Sequence, residues 1–123
     1  MSSDPRHTIG RHGERHALDH LRRLGYELVA SNHRTRFGEL DLVMRDGDAL
    51  VFVEVKSRRA RRAGAVWESL DERKRRQVRR MARAYLHEAD ARPAAAEIRF
   101  DAVGVVVDAR GDLVGLEHLE AAF

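Results

Sequence analysis

The sequence contains no cysteine, only two prolines, one tryptophan and two lysines in 123 residues. Without cysteine there is no disulfide framework and no thiolate metal site, and a reducing compartment suits the chain. No stretch approaches the ~20 apolar residues of a membrane helix, and nothing near the N-terminus has the apolar core of a signal peptide. The expectation is a soluble, cytoplasmic protein with no membrane partner. Few prolines, with 43% hydrophobic and 35% charged residues, exclude an extended disordered chain and leave material for one modest core.

What is abundant is arginine, and it is unevenly spread. The net charge is −1 over residues 1–55, +9 over 56–83 and −5 over 84–123, which hides a cationic middle inside a total of +3. A polyanionic partner would explain that block, and so would a solvated helix face. Of the 23 basic residues only Lys56 and Lys74 are lysine. A compact ammonium is not interchangeable with a guanidinium, so these two positions attract notice.

Hydrophobic spacing predicts a flexible N-terminus over 1–8 and one domain over 9–123. A helix from Ile9 to Leu24 stops at Gly25. Strands follow at Tyr26 to Asn32, Gly38 to Arg45 and Leu50 to Ser57, the last two joined by Asp46-Gly47. Arg58 to Ala65 reads as a loop. Ser69 and Glu72 form a capping box for a helix running to about Ala89. A linker with Pro93, a strand from Ile98 to Val107 and a last strand from Leu113 to Leu119 complete the chain. The order α-β-β-β-α-β-β fits an α/β domain with a central mixed sheet flanked by helices.

Alternation on the third strand puts Phe52, Glu54 and Lys56 on one face and Val51, Val53 and Val55 on the other. With Asp46-Gly47 as a two-residue turn, Asp41 lies opposite Phe52, on the face of Glu54 and Lys56 and diagonal to Glu54. Two carboxylates and a lysine on a sheet otherwise built of valine, leucine and phenylalanine must pair, bind a cation or face solvent. Glu14 shares an inward helical stripe with Ala17, Leu18 and Leu21 and adds a third acid.

Gly10-x-x-Gly13-Glu14, Gly38-Glu39-Leu40-Asp41-Leu42 and Phe52-Val53-Glu54-Val55-Lys56-Ser57-Arg58 together resemble the YraN family, as do Arg99-Phe100-Asp101 and Ala122-Phe123. That family is placed in the PD-(D/E)xK nuclease superfamily and is similar to archaeal Holliday-junction resolvases. The resemblance implies a restriction-endonuclease-like fold in which Asp41, Glu54 and the backbone carbonyl of Val55 hold Mg²⁺ or Mn²⁺. It implies that Lys56 orients the attacking water and stabilises charge on the phosphate, and that Glu14 completes the acidic site through water or at a second metal. Leu40 stands where the superfamily's nominal proline would precede the aspartate. Oxygen donors of this kind suit Mg²⁺, which is commonly held by one or two carboxylates and several waters.

On the second helix, Leu70, Lys74, Gln77, Val78, Met81 and Tyr85 share one stripe, opposite Arg76, Arg79, Arg80 and Arg83. The resemblance gives Lys74 and Gln77 a supporting role, whereas simple snorkelling at the core edge would also place Lys74 there. The outer arginines, with Arg58, Arg59, Arg61 and Arg62, are candidates for phosphate contact. Trp67 is the one aromatic interleaved with them, which argues for backbone or shape recognition over base stacking. His12, His16 and His20 share a helical face and read as a polar surface stripe rather than a metal site. Asp101 reads as a buried hydrogen-bonding group as readily as a catalytic one.

The expected function is a divalent-metal-dependent nuclease acting on DNA ahead of RNA, on branched or damaged substrates. The alternative is a non-catalytic nucleic-acid-binding module on the same fold. Symmetric junction cutting would require a homodimer, and a further protein partner stays open.

Overall fold

The structure, a computed structural model, describes residues 5–60, 70–88, 95 and 97–123. Its elements are α1 (Pro5–Arg23), β1 (Glu27–Thr35), β2 (Gly38–Asp46), β3 (Ala49–Arg59), α2 (Glu72–Glu88), β4 (Glu97–Val107) and β5 (Leu113–Leu119). This is the expected α/β order. One five-stranded sheet runs β1-β2-β3-β4-β5, antiparallel everywhere except the parallel pair β3–β4. A parallel pair needs a long crossover, and the connection carrying α2 supplies it.

The helices cover opposite faces of the sheet. Ala17 and Leu21 of α1 pack with Leu42, Met44, Val51, Val53, Val103 and Val105. Val78, Met81, Ala82 and Tyr85 of α2 pack with Leu40, Val43, Leu50 and Phe52. The alternation read on β3 is therefore the alternation that builds two cores. Phe52 is fully buried between Tyr85 and Phe100, so truncating it to alanine would cost about 3–5 kcal/mol. Phe123 continues that aromatic stack from Phe100, and the Ala122 N–H donates to the Phe100 carbonyl at 2.7 Å. The Arg99-Phe100 and Ala122-Phe123 matches thus meet in space.

Several local expectations are corrected. α1 starts at Pro5 instead of Ile9, because proline lacks only an N–H that the first turn leaves unused. It ends in a Schellman arrangement, with Gly25 at φ +94° and the Tyr26 N–H donating to the Leu21 carbonyl. The β2–β3 turn is Gly47-Asp48, since Asp46 pairs with Ala49 and Val43, not Asp41, pairs with Phe52. The positive φ of +58° sits on Gly47, which favours glycine as the first central residue of the turn. The slip is two positions, so the paired side chains from Leu42 to Asp46 keep their faces. At α2, the Asp71 carboxylate accepts the Lys74 N–H at 2.9 Å and caps the helix; Ser69 lies outside the described residues. Arg58 and Arg59 belong to β3, paired with Val106 and Val107, and not to a loop. Arg61, Arg62, Trp67 and Pro93 lie outside the described residues.

Candidate active site

Glu54 is the centre of the site. It follows the Phe52 face of β3 under α2, with only 4% of its side chain exposed. A buried carboxylate needs compensating charge, and both lysines of the chain provide it. Lys56 Nζ lies 3.3 Å and Lys74 Nζ 3.4 Å from the same oxygen, Oε2. Lys56 arrives by strand alternation and Lys74 by helical periodicity from α2. Their ammonium ends converge across two elements, as expected of compact point charges.

Asp41 lies where β2 leaves β3. The recorded β2–β3 rungs end at Leu42 with Val53, while β3 continues to Arg59 against β4 alone. The face alternation of β2 also breaks here, because Leu40 packs in the α2 core and Leu42 in the α1 core. Asp41 occupies the break, and its Oδ2 accepts the Val55 N–H at 2.8 Å. Continuing the register by one residue sets Asp41 level with Glu54. Burial, the Glu54 charge and, more weakly, Glu14 push the Asp41 carboxyl well above the usual carboxylate range, against the opposing Val55 hydrogen bond. A hydrogen bond between the Asp41 and Glu54 carboxyls acts in the same direction. Among the described residues both ammoniums lie on Glu54, and no ion pair joins either of them to Asp41.

Glu14 is brought near by close helix packing. Gly13 is buried on β3, and a Cβ there would overlap the Ser57 hydroxyl. Glycine at 13 thus sets the distance between α1 and the strand. Glu14 Oε1 accepts from Asn32 Nδ2 at 2.9 Å, and the same amide reaches Glu39 Oε1 at 3.2 Å. Asn32, with φ +48°, stands across from Asp41 on β1. Neither Asn32 nor Glu39 emerged as a site residue from the sequence. An asparagine inside a strand pattern, a residue that tolerates left-handed backbone, is the one signal available.

The remaining candidates separate. Gln77 Nε2 donates to the Phe37 carbonyl at 3.0 Å, so it braces the β1–β2 turn instead of the carboxylates. Arg76, Arg80 and Arg83 are exposed along α2. Arg79 is partly engaged, 3.9 Å from Glu72 Oε1 and 5.9 Å above the Phe123 ring. Arg59 is exposed near the end of β3, and Arg58 donates to the Arg59 carbonyl.

The donor chemistry is that of a hard cation. Among the described residues no group of three His, Cys, Asp or Glu side chains is gathered for a metal ion. The candidate set is instead two carboxylates, Asp41 and Glu54, beside the Val55 backbone, with Glu14 further out. Such a set suits Mg²⁺ or Mn²⁺, which keep several waters, better than zinc. Asp41 and Glu54, neighbours with both ammoniums on the Glu54 side, are the residues that could hold such a cation.

A second polar cluster lies on the α1 side of the sheet. Asp101 has no exposure, yet receives Arg99 Nε at 2.9 Å, Arg99 Nη2 at 3.0 Å, His118 Nε2 at 2.8 Å and the Ala121 N–H at 3.1 Å. Arg99 also reaches Asp46 Oδ2 at 3.0 Å and the Tyr26 hydroxyl at 2.6 Å. Burial pushes the Asp101 carboxyl up, but the bonds from His118 and Arg99 outweigh it and leave the group below its usual range. Burial likewise raises the Tyr26 hydroxyl to about 12, against the pull of Arg99. Asp101 is thus a structural hydrogen-bonding group, the bland reading of its sequence context. The helical histidines join this side as well. His16 donates to the Gly111 carbonyl at 2.8 Å, and His20 lies 3.2 Å from His118. They dock the β4–β5 hairpin on α1, so they are not a solvated stripe.

A family model described as "Uncharacterised protein family UPF0102" matches residues 13–105. A UPF0102 protein of Pelotomaculum thermopropionicum is 41% identical over 121 residues, covering 98% of this chain and 99% of its own. One from Herpetosiphon aurantiacus is 40% identical over 97% of this chain and 96% of its own. One from Pseudomonas aeruginosa is 49% identical over 78% of this chain and 76% of its own. Among the described residues no helix is long and apolar enough to cross a membrane.

Proposed function

Because the chain belongs to the UPF0102 family, the YraN family of its motifs, and that description carries no activity, the site itself must supply the chemistry. We propose that it is a divalent-metal-dependent nuclease that hydrolyses phosphodiester bonds in DNA. The observation that carries this reading is the Asp41–Glu54 carboxyl pair at the parting of β2 and β3, with Lys56 and Lys74 both on Glu54 Oε2. Both ammoniums serve Glu54, so Asp41 sits beside it with a backbone N–H and no lysine of its own.

Asp41 and Glu54, with the Val55 carbonyl, would hold Mg²⁺ or Mn²⁺. Bound there, the ion would supply Lewis acidity toward a phosphate oxygen and a more acidic water. Lys56 would orient the attacking water and donate to a non-bridging phosphate oxygen as negative charge builds on the phosphoryl oxygens. Lys74 holds Glu54 Oε2 from the helix side and keeps the carboxylate aimed toward Asp41. Glu14, steadied by Asn32, would accept hydrogen bonds from ordered water at the rim. Exposed Arg76, Arg80 and Arg83 on the α2 face provide an electrostatic approach for the strand. Similarity of the motifs to junction-resolving nucleases favours branched or damaged DNA, in recombination or repair.

The test is cleavage of labelled duplex, flap and four-way-junction DNA and single-stranded RNA by wild type and Glu54→Ala, in Mn²⁺, Mg²⁺ and EDTA. Metal-dependent cutting that the variant loses is expected. A wild type that cuts nothing in either metal, yet binds the panel with steep salt dependence, would replace the nuclease by a binding module.

A further inference from the structure

The turn between β1 and β2 carries an aromatic ring with arginines over it that meet no carboxylate among the described residues. Phe37 is half-buried, with Arg36 Cζ 4.9 Å and Arg80 Cζ 5.5 Å from its ring centroid. Together with Arg73, Arg76, Gln77 and Arg80 it lines a surface cavity of about 390 Å³, within the size range of small-ligand sites. Among the described residues no carboxylate lies within ion-pair distance of Arg73, Arg76 or Arg80. Three guanidiniums on successive turns of one helix repel each other unless an anion sits among them.

The turn that presents Phe37 is rigid. Its N–H donates to Thr35 Oγ1 at 3.1 Å, Thr35 Oγ1 donates to the Gly38 carbonyl at 2.8 Å, and Gln77 holds the Phe37 carbonyl. Gly38 has φ +135°, and a Cβ on it would press on Gln77 Nε2 and Met81 Sδ. The platform is therefore fixed before any ligand arrives, which lowers the ordering cost of binding. The arginines beside it stand on the same helix as Lys74, whose ammonium lies 3.4 Å from Glu54 Oε2.

We infer that this cavity seats one unstacked nucleotide of a single-stranded DNA segment, its base on the Phe37 ring and its phosphate among Arg73, Arg76 and Arg80. A base in continuous duplex is stacked between its neighbours and cannot reach an aromatic side chain, so the platform selects a strand that is already open. The base replaces one guanidinium over the ring, and that guanidinium turns to the phosphate. The inference deepens the nuclease reading and rests on it for biological meaning: the substrate has a single-stranded branch next to the bond that is cut.

Binding in EDTA tests it without requiring cleavage. Fluorescence anisotropy would compare a single strand, a forked duplex and a blunt duplex of the same sequence, with wild type, Phe37→Leu and Arg76→Gln. Wild type should bind the single strand and the fork more tightly than the blunt duplex. Phe37→Leu, which keeps an apolar contact with the core, should lose about 10-fold in single-strand affinity and little on duplex. Exposed Arg76→Gln should weaken single-strand binding and flatten its salt dependence, and thermal melting checks that both variants fold. Equal binding of single strand and duplex by wild type, or an unchanged Phe37→Leu, overturns the inference. So does displacement of the strand by free deoxynucleoside monophosphate at micromolar concentration, which would mark a free-nucleotide pocket. Cleavage without single-strand preference would remove the platform and leave the nuclease; single-strand preference without cleavage in any metal would do the reverse.

Discussion

Two clusters of buried charge sit on opposite faces of this sheet, and they have been settled in opposite ways. Asp101, on the α1 side, receives two bonds from Arg99, one from His118 and one from a backbone N–H, and its carboxyl is held below the usual range. Asp41, associated with Glu54 below α2, has a single backbone donor and two neighbouring acids, and its carboxyl is held well above that range. A carboxylate with every lone pair answered is a piece of architecture. A carboxylate crowded by its own kind is relieved by a proton or by an outside cation, and that is what makes it a candidate ligand. Burial pushes both carboxyls up, and the partners decide where each ends.

Breaking the settled side should have the largest effect. Asp101→Asn takes from Arg99 its buried carboxylate partner, leaves it only the more exposed Asp46, and should cost about 3 kcal/mol, read as a lower urea midpoint. The ionised form of Asp101 is favoured by folding, so its contribution is present above the unfolded value of about 3.9 and disappears as pH falls through the lower folded value. The variant should lack that acid limb. A midpoint close to wild type would place Asp101 on the unsettled side of the comparison.

On the other face, Lys56→Met should act on chemistry first. Cleavage in Mg²⁺ should fall by about 10²–10³-fold while the urea midpoint moves far less than in Asp101→Asn. A variant that unfolds as readily as Asp101→Asn would show that Lys56 is structural.

The smallest effect has the opposite sign. Asp41→Asn keeps an acceptor for the Val55 N–H and removes the repelled charge, so in EDTA it should melt several degrees higher than wild type at neutral pH. The folded Asp41 carboxyl is raised, hence wild type loses stability as pH climbs from about 4 through that higher value. The gap between the two proteins should widen over the same interval and close in acid. Added Mn²⁺ should narrow it again by stabilising only the wild type. A variant less stable than wild type across that range would remove the surplus charge from the site.

Much of the candidate site was legible because it rests on two periods. Alternation along Val51–Lys56 placed Glu54 and Lys56 together, and helical spacing turned Lys74 toward them. Asp41 still came to lie beside Glu54 despite a misplaced turn, because the slip was two positions. Contacts between distant positions were not legible. Nothing local says that Gln77 will brace Phe37, or that Arg99 will join Asp46 and Tyr26. Asn32 was hidden for another reason: its role follows from one left-handed backbone angle, which no pattern of hydrophobicity records. The ring of arginines about Phe37 combines both obstacles, a turn residue and a helix face 36 to 43 positions on.

The parallel pairing of β3 with β4 also sets an order in time. Asp41 and Glu54 are 13 positions apart and meet as soon as a short hairpin closes, with Lys56 already beside them. Ala49 meets Glu97 only after 48 further residues have been placed, and Lys74 travels inside that crossover. Long closures are slow relative to hairpins. During folding the acids therefore assemble ahead of their second lysine. A refolding solution at mildly acidic pH, where the pair carries less charge, should let this half of the sheet form sooner than at neutral pH.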